Sequence, residues 1–138
     1  MDIVKIHELF LKCTSVSIDT RKIQANSLFV AIKGENFDAN TFAKEALEKG
    51  AAYVIIDNSD FYIDHRTILV EDSLQALQEL AKFHRNFLKL PIIALTADVM
   101  PEDKAHARAV GFNLHLAKPL ELIKLTECLI QYAEVNEQ

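Results

Sequence analysis

The chain has 138 residues, 50% of them hydrophobic and 25% charged, with a formal net charge of −5. That length suits one domain with its own core, and the composition is ordinary for a globular protein. The negative balance argues against a nucleic-acid surface, and no apolar run approaches the ~20 residues that span a bilayer, so neither nucleic acid nor a membrane is an expected partner.

The opening residues alternate charged with apolar side chains and lack the long apolar core of a secretory leader. Ile3, Ile6, Leu9 and Phe10 share one helical face, which predicts a short amphipathic helix over 3–12. Residues 15–19 read as a short strand ending at Asp19, and residues 27–32 (SLFVAI) as a strand covered on both faces. Residues 33–40 (KGENFDAN) are polar and turn-rich, a loop. A helix over 41–49 is stopped by Gly50, at the position where a positive φ is needed. Residues 52–56 and 67–70 are strands on either side of a polar loop. Asp72 opens a helix with a repeat of Leu74, Leu77, Leu80, Ala81, Phe87 and Leu88, and Gln75 follows at capping-box spacing.

Residues 91–96 (PIIALT) form a strand that begins with proline, and Pro101 suits the first turn of a helix reaching Val110 before Gly111. Residues 114–117 are a last strand. Residues 120–133 are a closing helix with Leu122, Leu125, Leu129 and Ile130 inward, and the final EVNEQ is a solvated tail. From residue 27 onward, strands and helices alternate, and helices of this length supply right-handed crossovers between parallel strands. The expected fold class is therefore α/β, a three-layer sandwich with a largely parallel sheet, over a single domain 1–138.

Cys13 and Cys128 are far apart and outside any zinc or redox spacing, so two reduced thiols in the cytoplasm are expected. The five histidines, at 7, 65, 84, 106 and 115, show no metal-ligand spacing. Surface positions are expected for them, with His84 partly buried beside its helix's apolar stripe. No nucleophile elbow or dinucleotide fingerprint is present, and no metal or cofactor is expected.

The blocks SIDTRK, LFVAIKGENFD and EALEKGA, followed by ILVEDSLQALQELAKFHR, resemble the N-terminal domain of the muramyl ligases. Within that family the resemblance, over about residues 3–95, is to members that add D-alanyl-D-alanine to a UDP-N-acetylmuramoyl-tripeptide. It implies a domain that holds the UDP end of the substrate, with Asp19, Thr20, Arg21, Lys33, Asn36, Phe37 and Asp38 near the nucleotide-sugar. The residue types suit such a role, since Thr20 offers a hydroxyl, Arg21 a fork of donors for phosphate, and Lys33 a point charge. Gly34 permits close backbone approach, and Asn36 and Asn40 both donate and accept. Ala39-Asn40 stand where the family commonly has Gly-His. The plainer alternative is that residues 19–21 are a turn with a local ion pair and residues 33–38 a solvated loop.

In that family the strand like PIIALT leads into a glycine-rich phosphate loop, whose lysine and hydroxyl serve ATP and Mg²⁺. Here Thr96 is followed by ADVMPEDK, without GK[ST]. Ligase catalysis is therefore not expected of this chain.

Residues 91–138, with PIIALTA, a helix ending in GF, and LAKP, resemble the second half of a response-regulator receiver domain. That resemblance implies a flavodoxin- or receiver-like C-terminal half in which Thr96 matches a switch hydroxyl and Lys118 a phosphoryl-pairing lysine. Pro119 then follows a peptide bond that is often cis. The receiver's acidic pair and acceptor aspartate fall in the half this chain lacks, so Thr96 and Lys118 are expected to be vestigial. Asp57, after a strand, is the one carboxylate considered as an accidental acceptor.

A switch of families near Pro91 implies a recombined protein, engineered or a natural fusion, in which residues 1–90 and 91–138 share one core. Three functions follow: a chimera without catalysis, a weak binder of UDP-N-acetylmuramoyl-peptide, or a receiver-like phosphoacceptor. Oligomeric state is left open.

Overall fold

A computed structural model describes residues 2–97 and 100–133, leaving aside the side chain of residue 103. The expected polar tail at 134–138 lies outside the described residues. The chain divides into two compact units, Met1–Leu88 and Lys89–Gln138.

The first unit is built on a four-stranded parallel sheet, in the order β1 (Val16–Ser17), β2 (Ser27–Val30), β5 (Ala51–Ile56), β6 (Thr67–Leu69). Every residue of β2 is buried, as its unbroken apolar run predicts. Successive side chains alternate between two cores. Phe29, Ala31, Val54 and Ile56 face α2 (Ala43–Glu48), where Ala43, Ala46 and Leu47 meet them. Leu28, Val30, Ile55 and Ile68 face α1 (Ile3–Phe10) and α3 (Ser73–Leu88), where Ile6, Ala76 and Leu80 pack. This unit is thus a helix–sheet–helix sandwich. Each fully buried Leu, Ile, Val or Phe contributes about 1.5–3 kcal/mol of burial free energy, which makes β2 and β5 the firmest part of the unit.

Two details place the candidate site. The loop expected over 33–40 contains an antiparallel hairpin, β3 (Lys33–Gly34) paired with β4 (Phe37–Asp38), followed by a 3-10 turn at Ala39–Phe42. A second 3-10 turn, Thr20–Lys22, follows β1, with Asp19 as its cap accepting a bond from the Arg21 amide. Gly50 closes α2 at φ 107°, as expected. Asp72 accepts from the Gln75 amide at 2.7 Å, which is half of the expected capping box; the Gln75 side chain instead donates to Glu79. In α3 the buried positions are Ser73, Ala76 and Leu80, whereas Leu74, Phe87 and Leu88 are exposed.

The second unit has β7 (Ile93–Thr96) and β8 (Leu114–Ala117) paired in parallel, with α4 (Pro101–Ala109) and α5 (Leu122–Ala133). The described strands thus form three sheets rather than one. Pro101 is the first residue of α4, Gly111 stops the following turn at φ 103°, and the Lys118–Pro119 bond is cis. The inward face expected for α5 is corrected: Leu122 is 76% exposed, and Leu129 and Ile130 are exposed too. Its covered stripe runs through the half-buried Leu125, the buried Cys128 and the half-buried Tyr132, a narrow i, i+3, i+7 line.

Candidate functional site

The 3-10 turn after β1 and the β3–β4 hairpin stand on the α2 side of the first unit's sheet, and between them lies a cleft of about 530 Å³. Ile18, Phe29, Ala39 and Phe42 supply apolar lining, and Asp19, Thr20, Arg21, Phe37 and Glu45 supply the rest. That volume falls within the ~300–1,000 Å³ range of small-ligand sites. Phe37 is 55% exposed and lies nearly parallel to Phe42, with centroids 5.5 Å apart, so an aromatic face is offered at the mouth.

Asp19 and Arg21 do form the local pair: Nε and Nη2 of Arg21 donate to the two carboxylate oxygens at 2.8–3.2 Å. These bonds hold the Asp19 carboxyl at about 2, well below its ordinary value. The pair also stiffens the guanidinium while leaving the Arg21 side chain 85% exposed. Lys49 donates to the Thr20 carbonyl at 3.2 Å and pairs with Glu45 at 2.6 Å, which fastens the turn to α2.

Lys33 and Asp38 belong to a second cluster, centred on Asp57 at the end of β5. Asp57 Oδ1 accepts from Lys33 Nζ at 2.8 Å and from Asn40 Nδ2 at 2.7 Å; Oδ2 accepts from the Ser73 amide at 3.3 Å. Asn40 Nδ2 also donates to Asp38 Oδ1 at 2.7 Å, and Asn40 Oδ1 accepts from the Asp57 amide at 3.1 Å. Asn40 is fully buried, so its amide serves the protein's own groups rather than a ligand edge. Burial opposes the charge on Asp57, but Lys33, Asn40 and the Ser73 amide outweigh it and hold the carboxyl below its ordinary value. The hydrogen bond that Lys33 donates to Asp57 likewise pushes Lys33 above its ordinary value. Asn36 is exposed at the hairpin tip.

Six of the seven residues singled out from the sequence therefore fall into two groups. Asp19, Thr20, Arg21 and Phe37 line the cleft; Lys33 and Asp38 join the Asp57 cluster; Asn36 stands apart at the tip. Phe42, Glu45 and Asp57 were not foreseen as neighbours of these residues. Chain order gives no signal for Asp57, which is 17 positions from Asn40.

In the second unit, β7–β8 register sets Thr96 against Ala117, and the Lys118 amide donates to the Thr96 carbonyl at 2.8 Å. A hollow of about 340 Å³ is lined there by Lys104, His115, Lys118, Glu121 and Lys124, among others, with Lys124 paired to Glu121 at 2.8 Å. Among the described residues no group of three or more His, Cys, Asp and Glu side chains is placed to hold a metal ion, and no helix is long and apolar enough to cross a membrane.

The parallel sheet and the cleft beside it define a mixed α/β unit of the kind seen in solved ligases. The crystal structure of MurF ligase from Thermotoga maritima in complex with ADP matches at a TM-score of 0.54 and 26% identity, over 64% of this chain and 20% of that one. The family described as "Mur ligase family, catalytic domain" matches residues 12–85, and the chain belongs to that family. UDP-N-acetylmuramoyl-tripeptide–D-alanyl-D-alanine ligases from Bacillus subtilis and Haemophilus influenzae are 34% and 33% identical, each over 81% of this chain. The chain spans 28% of the length of these two relatives. A share of 81% cannot fit within the first 95 residues, so likeness to these ligases continues past the point near Pro91 where it was expected to end.

Proposed function

We propose that the first unit binds the nucleotide-sugar end of a UDP-N-acetylmuramoyl-peptide in the cytoplasm and does not itself catalyse ligation. The observation that carries this reading is the cleft between the Asp19–Arg21 turn and the hairpin, which gathers donors and an aromatic face around an apolar floor. Arg21, aligned by Asp19, offers charge-assisted donors to a diphosphate. Phe37 offers its face to a uracil, and Thr20 a hydroxyl to a sugar. Lys33, Asn36 and Asp38 contribute from the hairpin, with Lys33 shared between the ligand and Asp57. The names of the relatives, which act on a UDP-N-acetylmuramoyl-tripeptide, support the choice of ligand.

Isothermal titration with UDP-N-acetylmuramoyl-tripeptide checks the reading. Binding is expected, and Phe37→Ala is expected to weaken it by about 1–3 kcal/mol, the usual worth of a base stacked on an aromatic ring. No heat with the unaltered chain, or equal affinity in Phe37→Ala and Arg21→Ala, would contradict it.

A second reading concerns residues 91–138 as a receiver-like fragment, and with it a recombined origin. It is supported by the pairing of β7 with β8, which brings Thr96 and Lys118 to adjacent strand ends. Acetyl phosphate with Mg²⁺ is then expected to add the mass of one phosphoryl group, and an unchanged mass would sink the phosphoacceptor.

A further inference from the structure

The contact between α1 and α3 contains two imidazoles that the binding site does not use. His7 Nε2 stands 3.0 Å from His84 Nδ1. His7 is only 4% exposed, and the buried polar residues of the described chain are His7, Ser27, Asn40, Thr67 and Ser73, so His7 is the one among them that titrates in the ordinary range. Phe83 and Phe87 each lie 4.9 Å from the His7 ring, and Phe10 packs edge-on to His84 at 4.7 Å.

Two ring nitrogens at this distance share one proton: one donates and the other accepts. A first added proton, on an outer nitrogen, leaves the shared bond in place. A second puts an N–H on both facing nitrogens and sets two like charges side by side, with the His7 ring buried. The ionisable groups acting on His7 are His84 from α3, which opposes its charge, and Glu8 on α1, which favours it; burial, the largest influence, opposes it. Their balance holds His7 below its ordinary value.

We propose that the His7–His84 pair is a proton-operated clasp: neutral, it fastens α1 to α3, and on acidification it releases α1 while the parallel sheet stays formed. α1 is eight residues long, so tertiary packing rather than its own propensity keeps it helical. Breaking one bond there opens a local unit without global unfolding. Because the folded value is depressed, the clasp's contribution is complete above the ordinary imidazole value of about 6.5 and is lost as pH falls through the lower folded value.

Amide hydrogen exchange of the full chain, corrected for intrinsic rates, is compared at about pH 7.5 and at about pH 4.5, the second lying well below the ordinary imidazole value of about 6.5. The α1 amides are expected to lose severalfold more protection than those of β2 and β5. His7→Phe, which keeps the aromatic packing and removes the proton, is expected to abolish the difference. Equal loss in α1 and the sheet, or the same loss in His7→Phe, would overturn the clasp. Should that variant fail to fold, His84→Phe decides in its place: loss of the pH difference is expected, and the same loss of α1 protection as in the unaltered chain would overturn the proposal.

Discussion

Asp57 shows how one carboxylate can organise residues drawn from four places in the chain. It ties Lys33 of the hairpin, Asn40 of the following turn and the first amide of α3 to the end of β5. Asp57→Asn leaves Lys33 without its anion and one donor facing another, so a loss of about 1–3 kcal/mol is expected in urea unfolding. The sign of its pH dependence follows from the lowered folded value. The stabilisation is complete above the ordinary carboxylate value of about 3.9 and is lost as pH falls through the folded value, so the difference between the unaltered chain and Asp57→Asn should shrink in acid. An unchanged urea midpoint in Asp57→Asn would refute the hub. Residue chemistry was legible from sequence where partners are neighbours, as with Asp19 and Arg21. It was hidden where they are distant: Asn40 reads as a ligand donor until burial places it between Asp38 and Asp57, and His7 reads as a surface residue until α3 covers it.

At the scale of elements, runs and stops carried the information. β2 and β5 were visible as apolar runs, and Gly50 and Gly111 as helix stops, because each depends on local pattern. The hairpin was not, since its strands are two residues long and its tip is Glu35-Asn36, without the Asn-Gly signal of a tight turn. The faces of α3 and α5 were misjudged for a related reason: periodicity gives a stripe of candidates, and packing decides which part of it is used. Leu80 is 2% exposed in the α1–α3 core, so Leu80→Ala is expected to cost about 2–5 kcal/mol. The exposed Leu74→Ala should cost far less, and equal losses would contradict the assigned face. At Gly50 a Cβ would meet only the Ala25 Cα, at 3.5 Å, so the penalty of Gly50→Ala is conformational. At φ 107° it is expected to be about 1–2 kcal/mol in thermal unfolding.

At the scale of the molecule, the sequence located the α/β class and the family, while the arrangement of strands into three sheets and of residues into two units came only with the structure. Alternation of strands and helices specifies parallel pairing but not which strands pair. The whole ligases to which the chain is similar are far longer than it is, and the proposed role assigns to this length of chain the holding of a nucleotide-sugar by a preformed cleft. The measurement that tests this most directly is a ¹⁵N-HSQC titration of the full chain with UDP-N-acetylmuramoyl-tripeptide. Saturable shifts confined to the amides around Thr20 and Arg21 and to the hairpin and turn from Lys33 to Phe42 are the predicted result. A spectrum that ignores the ligand, or shifts that spare the cleft and gather elsewhere, would contradict it.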